Sequence, residues 1–257
     1  MEVFLNPSAW IALLTLTFLE IVLGIDNIIF ISIATGKLPE EKRKKATQIG
    51  LFLAMFLRIA LLMGISVLIA MKEAWYTIDF SWFTAKITGQ SLILFLGGLF
   101  LLYKSTTEIR EKIEEKGVEE KQLGKSAAKQ FSRVLLQIML IDLVFSFDSI
   151  LTAVGMTNGV PGAIYIMVTA VVISVFIMMQ FAVPVGIFVN KHPTIQILGL
   201  TFLILIGFML VTEAAHLANA SFFGNHVDVV PKGYLYFAIS FSLMVEVLNM
   251  KMSKNKK

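Results

Sequence analysis

LEIVLGIDNIIFISIATGKLP (residues 19–39) and IDLVFSFDSILTAVGMTNGVP (residues 141–161) are two versions of one apolar stretch with acids at matching places. At a constant offset of 122 positions, and without a gap, the first acid, Glu20, aligns with Asp142, and the second acids align six residues later. Acid-to-acid matches in an apolar background are not expected by chance. They indicate an internal duplication.

The duplication extends beyond these two stretches. Further along the chain, GGLFLLYK (97–104) matches IGFMLVTE (206–213) at a shorter offset of 109. The two copies therefore cover about residues 8–104 and 132–217. The second pair of acids is Asp26 and Asp148, and the offset of 122 also aligns Asn27 with Ser149, Arg58 with Gln180, and Gly64 with Gly186.

The composition is that of a membrane protein. Hydrophobic residues make up 57% of the 257 residues and charged residues 16%, whereas roughly a quarter of an ordinary soluble domain is charged. The mean hydropathy is +0.80 and there is no cysteine. These values exclude a disordered chain and a disulfide-stabilised domain, and they argue against a soluble one. The net charge of +4 does not indicate nucleic-acid binding, because the basic residues lie between apolar runs and not in one patch.

Seven segments are long and apolar enough to span a bilayer, which takes about 20 residues in a helix. We predict an all-α membrane protein that forms one transmembrane domain, residues 1–257, surrounded by lipid. The charged loop at about 105–131 is predicted to be a solvated amphipathic helix or a linker. The seven segments are 8–35, 47–71, 88–104, 132–157, 160–189, 195–217 and 233–250.

The distribution of Lys and Arg predicts the orientation. If the N-terminus is extracytoplasmic, the cytoplasmic loops and tail contain 18 basic residues and the outer loops contain three. Cytoplasmic loops are enriched in Lys and Arg, so the C-terminus is predicted to be cytoplasmic. Because each copy has three spans, the second copy enters the membrane from the opposite side. The sequence thus predicts two inverted three-helix repeats and a seventh helix outside the duplication. Transporters built in this way bind their substrate near the membrane midplane, between the repeats.

Four acids lie well inside predicted spans: Glu20, Asp26, Asp142 and Asp148. Each charge at the bilayer centre costs at least ~2.5–3.5 kcal/mol unless the group is protonated, paired or bound to a cation. Arg58 is the one basic residue inside a span. The surplus of carboxylates therefore indicates a pathway for cations or protons.

Further polar residues are predicted to act as a counter-ion or to surround the direct ligands of the ion. We expect Arg58 to lie against one of the first pair of acids when no metal is bound, and to act as a counter-ion. Its repeat partner Gln180 is a second supporting residue. Glu213 and Glu246, near the ends of the later spans, complete this predicted group.

The available ligand atoms are oxygens. Asn27 and Ser149 place amide and hydroxyl oxygens beside the aspartates, and the chain has no thiolate. Such donors suit a hard divalent cation such as Mg²⁺, Ca²⁺ or Mn²⁺, and the carboxylates suit a proton equally well. Because Glu20 and Asp26 lie about 120° apart on a straight helix, we also expect the helix to unwind between them, at the Gly24–Asn27 turn.

The motifs resemble those of the TerC family of integral membrane proteins, and the resemblance covers nearly the whole chain. It implies export of Mn²⁺, or supply of metal to proteins secreted across a bacterial cytoplasmic (inner) membrane. The motifs are EIVLGIDN (20–27), DLVFSFDS (142–149), GGLFLLYK (97–104) and VPKGYLYFAISFSLMVEVLN (230–249). The metal-site residues that the resemblance implies are Glu20, Asp26, Asn27, Asp142, Asp148 and Ser149.

The leading interpretation is a secondary transporter that exports divalent cations, above all Mn²⁺, in exchange for protons. We expect no tightly bound cofactor and no enzymatic activity. The alternative is a non-transporting membrane component of a tellurite-resistance complex or of a metal-supply complex with a secretion-machinery partner. An intramembrane aspartyl protease is disfavoured, because neither candidate aspartate follows a G-x-G sequence. An amino-acid exporter would need more cationic groups than Arg58 to bind a substrate carboxylate.

The predicted orientation can be tested by cysteine labelling, because the native chain has no cysteine. Single cysteines at Asn158 and Lys72 should react with a membrane-impermeant thiol reagent added outside intact cells. Cysteines at Lys44 and Lys121 should react only after the cells are opened. The reverse pattern would overturn the predicted topology.

Overall fold

The computed structural model describes residues 6–114, 127–157, 160 and 162–254. This part of the chain forms eight helices and four short strands. The helices are α1 (Pro7–Gly36), α2 (Glu40–Met63), α3 (Ile65–Ala70), α4 (Gly89–Glu114), α5 (Ala127–Met156), α6 (Ala163–Lys191), α7 (Pro193–Leu217) and α8 (Lys232–Lys254). The strands are β1 (Ala74–Phe80), β2 (Phe83–Thr88), β3 (Ser221–Phe222) and β4 (Asn225–His226).

Seven of the described helices, all except α3, are long and apolar enough to cross a membrane. The prediction of seven spans in a helical membrane protein is therefore confirmed. Local sequence explains where helices begin and end. Asn6 caps α1 by accepting a hydrogen bond from the Ser8 N–H (3.1 Å), Pro7 occupies the first turn, and Pro39 precedes α2.

Two predicted boundaries were wrong. The segment 47–71 is not one helix, because α2 ends at Met63, Gly64 follows as its C-cap, and the short α3 begins at Ile65. At the other boundary, α4 continues about ten residues past the predicted end at 104. Part of the stretch predicted to be solvated is buried: Glu108 is 1% exposed and its Oε1 accepts a bond from Lys104 Nζ at 2.7 Å. The middle of the predicted loop, 115–126, lies outside the described residues.

The sequence analysis missed a small antiparallel sheet, with strand order β1-β2-β3-β4. The strands lie in the two connections that lead into α4 and out of α7. The runs AWYTIDF and FTAKIT are rich in aromatic and β-branched residues, which favour strands. That signal was available in the sequence, but the high overall hydropathy obscured it.

The chain divides into two compact units, each interrupted along the sequence. The first, here called the core unit, comprises Met1–Ala70 and Lys121–Lys191; in it α1 packs against α6, and α2 packs against α5 and α6. The second, the sheet unit, comprises Met71–Glu120 and His192–Lys257; in it α4 packs against α7, α8 contacts α7, and the sheet is included. Each unit takes helices from both copies of the duplication. That the chain acts as one transmembrane domain stays a prediction.

The expected break at the Gly24–Asn27 turn is wrong, because α1 is one continuous helix and so is α5. Gly24 has a different role. A Cβ atom built on Gly24 would collide with the Sδ of Met178 in α6. The glycine is therefore explained by the close approach of two packed helices and not by unwinding.

Repeat-related glycines face one another where α4 and α7 pack. A Cβ on Gly98 would lie 2.7 Å from the carbonyl oxygen of Gly207, and a Cβ on Gly207 would lie 3.0 Å from the carbonyl oxygen of Gly98. The two glycines align in the duplication at the offset of 109. Small residues of this kind allow membrane helices to pack backbone against backbone.

This contact predicts a difference between two Gly→Ala substitutions. Gly98→Ala should destabilise the protein by about 1–3 kcal/mol, because the added methyl overpacks the α4–α7 interface. Gly155→Ala in α5 should be neutral or stabilising by up to about 1 kcal/mol, since alanine favours helix and the added methyl meets no described atom within 4 Å. Thermal unfolding of both purified variants measures the difference, and equal unfolding temperatures would contradict it.

Candidate ion site

Arg58 of α2 lies between two carboxylates inside the core unit. Its Nη1 pairs with Oε2 of Glu20 from α1, and its Nη2 pairs with Oδ1 of Asp142 from α5 at 2.9 Å. The three residues are 3–6% exposed. The two acids that align across the duplication therefore meet at a single guanidinium, and this ion triad links three helices.

Two neutral side chains complete the hydrogen bonding. Arg58 Nε donates to Ser146 Oγ at 2.9 Å, and that hydroxyl donates to Asp142 Oδ2 at 3.0 Å. Asn27 Nδ2 donates to Asp142 Oδ1 at 3.2 Å. We refer to Glu20, Asn27, Arg58, Asp142 and Ser146 together as the ion cluster.

Helix geometry explains why these residues meet. Glu20 and Asn27 are seven residues apart, which on a continuous helix returns the side chain to within roughly 20° of the same face. Asp142 and Ser146 are four residues apart and therefore also share a face. Ser146 was not among the predicted site residues. The i, i+4 spacing from an intramembrane acid was the signal that could have identified it.

The cluster has one more acid than base. A formal charge of −1 remains when both carboxylates are ionised beside one guanidinium, and a buried charge without compensation is costly. Asn27 provides a second unmet requirement: its Oδ1 is buried and accepts no hydrogen bond from the described residues. A cation would satisfy both the surplus charge and the unused amide oxygen.

The second pair of duplicated acids occupies other positions around α1 and α5. Asp26 and Asp148 each follow the first acid by six residues, so on continuous helices they lie about 120° away from Glu20 and Asp142. Asp148 is half-buried, and its backbone oxygen accepts a bond from Thr152 Oγ1 at 3.1 Å. The side chain of Asp26 lies outside the described structure.

The remaining predicted residues are distributed over both units. Ser149 is buried and its Oγ donates to the Ser146 carbonyl at 3.3 Å, one turn along α5 from the cluster. Gln180 is exposed on α6, whereas Glu213 and Glu246 are half-buried in α7 and α8 of the sheet unit. Within the described chain, no group of three or more His, Asp or Glu side chains is arranged to hold a metal. The six metal-site residues and the four supporting residues stay predictions as a set.

The cluster predicts a large effect of neutralising Arg58. Arg58→Gln should lower the stability of the metal-free protein by about 3–5 kcal/mol, because it leaves two buried carboxylates without their counter-charge. Adding Asp142→Asn should recover much of that loss. Arg110→Gln is the control, since the Arg110 side chain is 75% exposed in a surface pair with Glu114 and such pairs contribute about 0–1 kcal/mol.

Thermal or denaturant unfolding in detergent measures these differences. If Arg58→Gln were no more destabilising than Arg110→Gln, the two buried carboxylates would not depend on Arg58 for their counter-charge.

Comparisons with known proteins bear on the whole chain. Residues 5–257 match the model of the integral membrane protein TerC family. The inner membrane protein YgdQ of Escherichia coli K12 is 46% identical over 98% of this chain and 96% of its own length. A UPF0053 protein of Haemophilus influenzae is 43% identical over 97% of this chain and 96% of its own.

A longer relative contains the same region. The inner membrane protein YoaE of E. coli K12 is 44% identical over 99% of this chain, which spans 45% of YoaE. No solved structure matches the chain. The seven spans and these relatives agree with a multi-pass protein of the inner membrane. The chain belongs to the TerC family of integral membrane proteins.

Proposed function

We propose that this protein is a secondary transporter that exports divalent cations through the ion cluster, with Mn²⁺ as the favoured ion. The observation that supports the proposal most strongly is the meeting of Glu20 and Asp142 at the single guanidinium of Arg58, inside an apolar bundle. An arrangement built only for stability would match acids to bases. This one places an acid from each copy of a duplicated motif against a single base, so one acid is in excess.

Charge balance suggests how the site works. A divalent cation bound by the two carboxylates gives a neutral site once the guanidinium has withdrawn. Without metal, Arg58 and one proton on either carboxylate also give a neutral site. The metal therefore competes with Arg58 and a proton for the same oxygens. This competition provides both a route to ion release and a physical basis for exchange with protons.

The ligand atoms suit a hard cation. Two carboxylates and the unused Oδ1 of Asn27 are oxygen donors of the kind that bind Mg²⁺, Ca²⁺ and Mn²⁺. Family membership favours Mn²⁺ among them, as the resemblance of the acidic motifs implies. Asp26, Asp148 and Ser149 lie within about two helical turns of the cluster along α1 and α5, and we assign them to the pathway that leads to it.

The helix contacts support the inverted repeats. In the duplication, α1 corresponds to α5, α2 to α6 and α4 to α7. Exchanging the two copies therefore converts the α1–α6 contact into the α5–α2 contact, and both contacts are made in the core unit. The same exchange converts the α4–α7 contact, with its reciprocal glycines, into itself. These are the contacts expected of two copies related by a pseudo-two-fold axis. Inverted repeats of this kind support alternating access to a site between them.

The proposal predicts the flux of metal in reconstituted vesicles. Wild-type protein in proteoliposomes should carry Mn²⁺, and Mg²⁺, Ca²⁺ and Zn²⁺ are compared in parallel. Asp142→Asn and Asp148→Asn should each lower Mn²⁺ flux at least about tenfold, which corresponds to a loss of ~1.4 kcal/mol of binding. Arg58→Gln should tighten Mn²⁺ binding while slowing turnover, because the competing cation is gone.

Control variants distinguish the loss of a carboxylate at the ion site from the general effect of neutralising an acidic residue. Asp79→Asn changes an exposed aspartate in β1, and Glu73→Gln changes an exposed glutamate before β1, so both should retain flux. Tight metal binding without any flux in the wild type would support the alternative of a non-transporting membrane component of a metal-supply complex. Absence of both binding and flux would overturn the proposal.

A further inference from the structure

The core unit contains a cavity at the end where α2 and α5 finish and α6 begins. Its volume is about 390 Å³, and we call it the vestibule. Apolar side chains form most of its wall, including two from the short helix α3. Among the residues that line it are Met63, Ile65, Ile69, Val154, Thr157 and Ile164.

A second and much smaller void lies directly against Glu20. Its volume is about 10 Å³, which is close to the minimum that a single water molecule requires. Apart from Glu20, its wall is apolar. Among the residues that form it are Leu16, Ile150, Ala153 and Ala170.

Two side chains, Leu62 and Met167, line both the vestibule and the void. Leu62 is 1% exposed and Met167 is 5% exposed. Leu62 follows Arg58 by four residues, so it lies one helical turn, about 6 Å, beyond the ion cluster. Thr157 Oγ1, which donates to the carbonyl oxygen of Ala153 at 2.8 Å, lies 3.8 Å from the Met167 Sδ on the vestibule side. The pair therefore separates the acidic site from the vestibule.

Polar contacts link the chain segments at the opposite end of the core unit. Arg43 donates to the carbonyl oxygens of Leu38 and Gly36 at 2.9 and 3.1 Å. Gln130 donates to the carbonyl oxygen of Lys37 at 2.9 Å, and Asn190 donates to that of Ser32 at 3.2 Å. Hydrogen bonds thus connect the helix ends and the loop at one end of the unit, whereas the vestibule lies at the other end.

We propose that Leu62 and Met167 form the hydrophobic barrier that an ion must pass between Glu20 and the vestibule. A constriction lined by apolar side chains excludes water and so stops ions without a charged gate. The proposal rests on the transport function proposed above, and it adds the route and the residues that close it. Met167 is the side chain suited to move, because an unbranched thioether changes rotamer more easily than leucine.

The barrier can be tested without measuring transport. Ala153 lines the void and is 6% exposed, and the native chain has no cysteine, so Ala153→Cys places a single thiol behind the barrier. In nanodiscs, a small cationic methanethiosulfonate should label this thiol slowly. Adding Leu62→Ala or Met167→Ala should raise the labelling rate about tenfold or more, because the apolar constriction is widened and admits water.

Two control variants match these substitutions in residue type and burial. Leu51→Ala changes a buried leucine of α2, the helix of Leu62, and Met209→Ala changes a buried methionine of α7 in the sheet unit; neither residue lines either cavity. Neither should accelerate labelling of the Ala153→Cys thiol. Met167→Leu conserves the volume of the side chain and should keep the slow labelling rate, in contrast to Met167→Ala. This pair of variants tests the barrier even if Leu62→Ala does not fold.

The outcomes distinguish this inference from the proposed function. Labelling that is no faster in Leu62→Ala and Met167→Ala than in the two controls overturns the barrier, even if the wild type transports Mn²⁺. Faster labelling in both variants supports the barrier. If labelling is faster in both variants but the wild-type protein carries no metal, Leu62 and Met167 still form a barrier to water, and only the proposed transport function is overturned.

Discussion

The structure of the core unit depends on one constraint: two carboxylates from separate helices share a single buried guanidinium. Glu20, Arg58 and Asp142 come from α1, α2 and α5, so none of these helices can slide without exposing a charge to an apolar environment. Such a contact specifies position more than it adds stability, because much of the attraction offsets desolvation. The charge imbalance is what separates this cluster from an ordinary structural ion pair.

The close approach of the helices follows from small residues that surround this cluster. Gly24 lets Met178 pack onto α1 one turn from Glu20, and Gly50 of α2 lies against Ile138 of α5. Van der Waals packing of this kind stabilises helix association in lipid, where the hydrophobic effect between helices is weak. Among these contacts, a void about the size of one water molecule lies beside Glu20.

Much of this could be predicted from sequence, because membrane spans leave strong signals. Seven apolar segments, the duplicated acids and a single intramembrane arginine all follow from composition and spacing, and Arg58 does lie against the first pair of acids. The unwound turn at Gly24 was predicted wrongly. A glycine that breaks a helix and a glycine that makes room for a neighbouring side chain give the same sequence pattern beside the acids. Only the position of Met178 distinguishes the two. The burial of Glu108 was missed for a related reason: α4 packs against α7, which is distant in sequence, and the local sequence around Glu108 gives no sign of that contact.

Continuous backbone in α1 and α5 has a consequence for any ion held at the cluster. In an unbroken helix the carbonyl oxygens are already bonded within the helix, so the protein can offer a divalent cation only side-chain oxygens. Glu20, Asn27 and Asp142 supply fewer donors than the six that an octahedral ion requires. Such an ion would keep part of its hydration shell. Because Mg²⁺ gives up water reluctantly, the rate of water exchange at the ion would then favour Mn²⁺ and Ca²⁺ over Mg²⁺, a kinetic selectivity that needs no additional ligand.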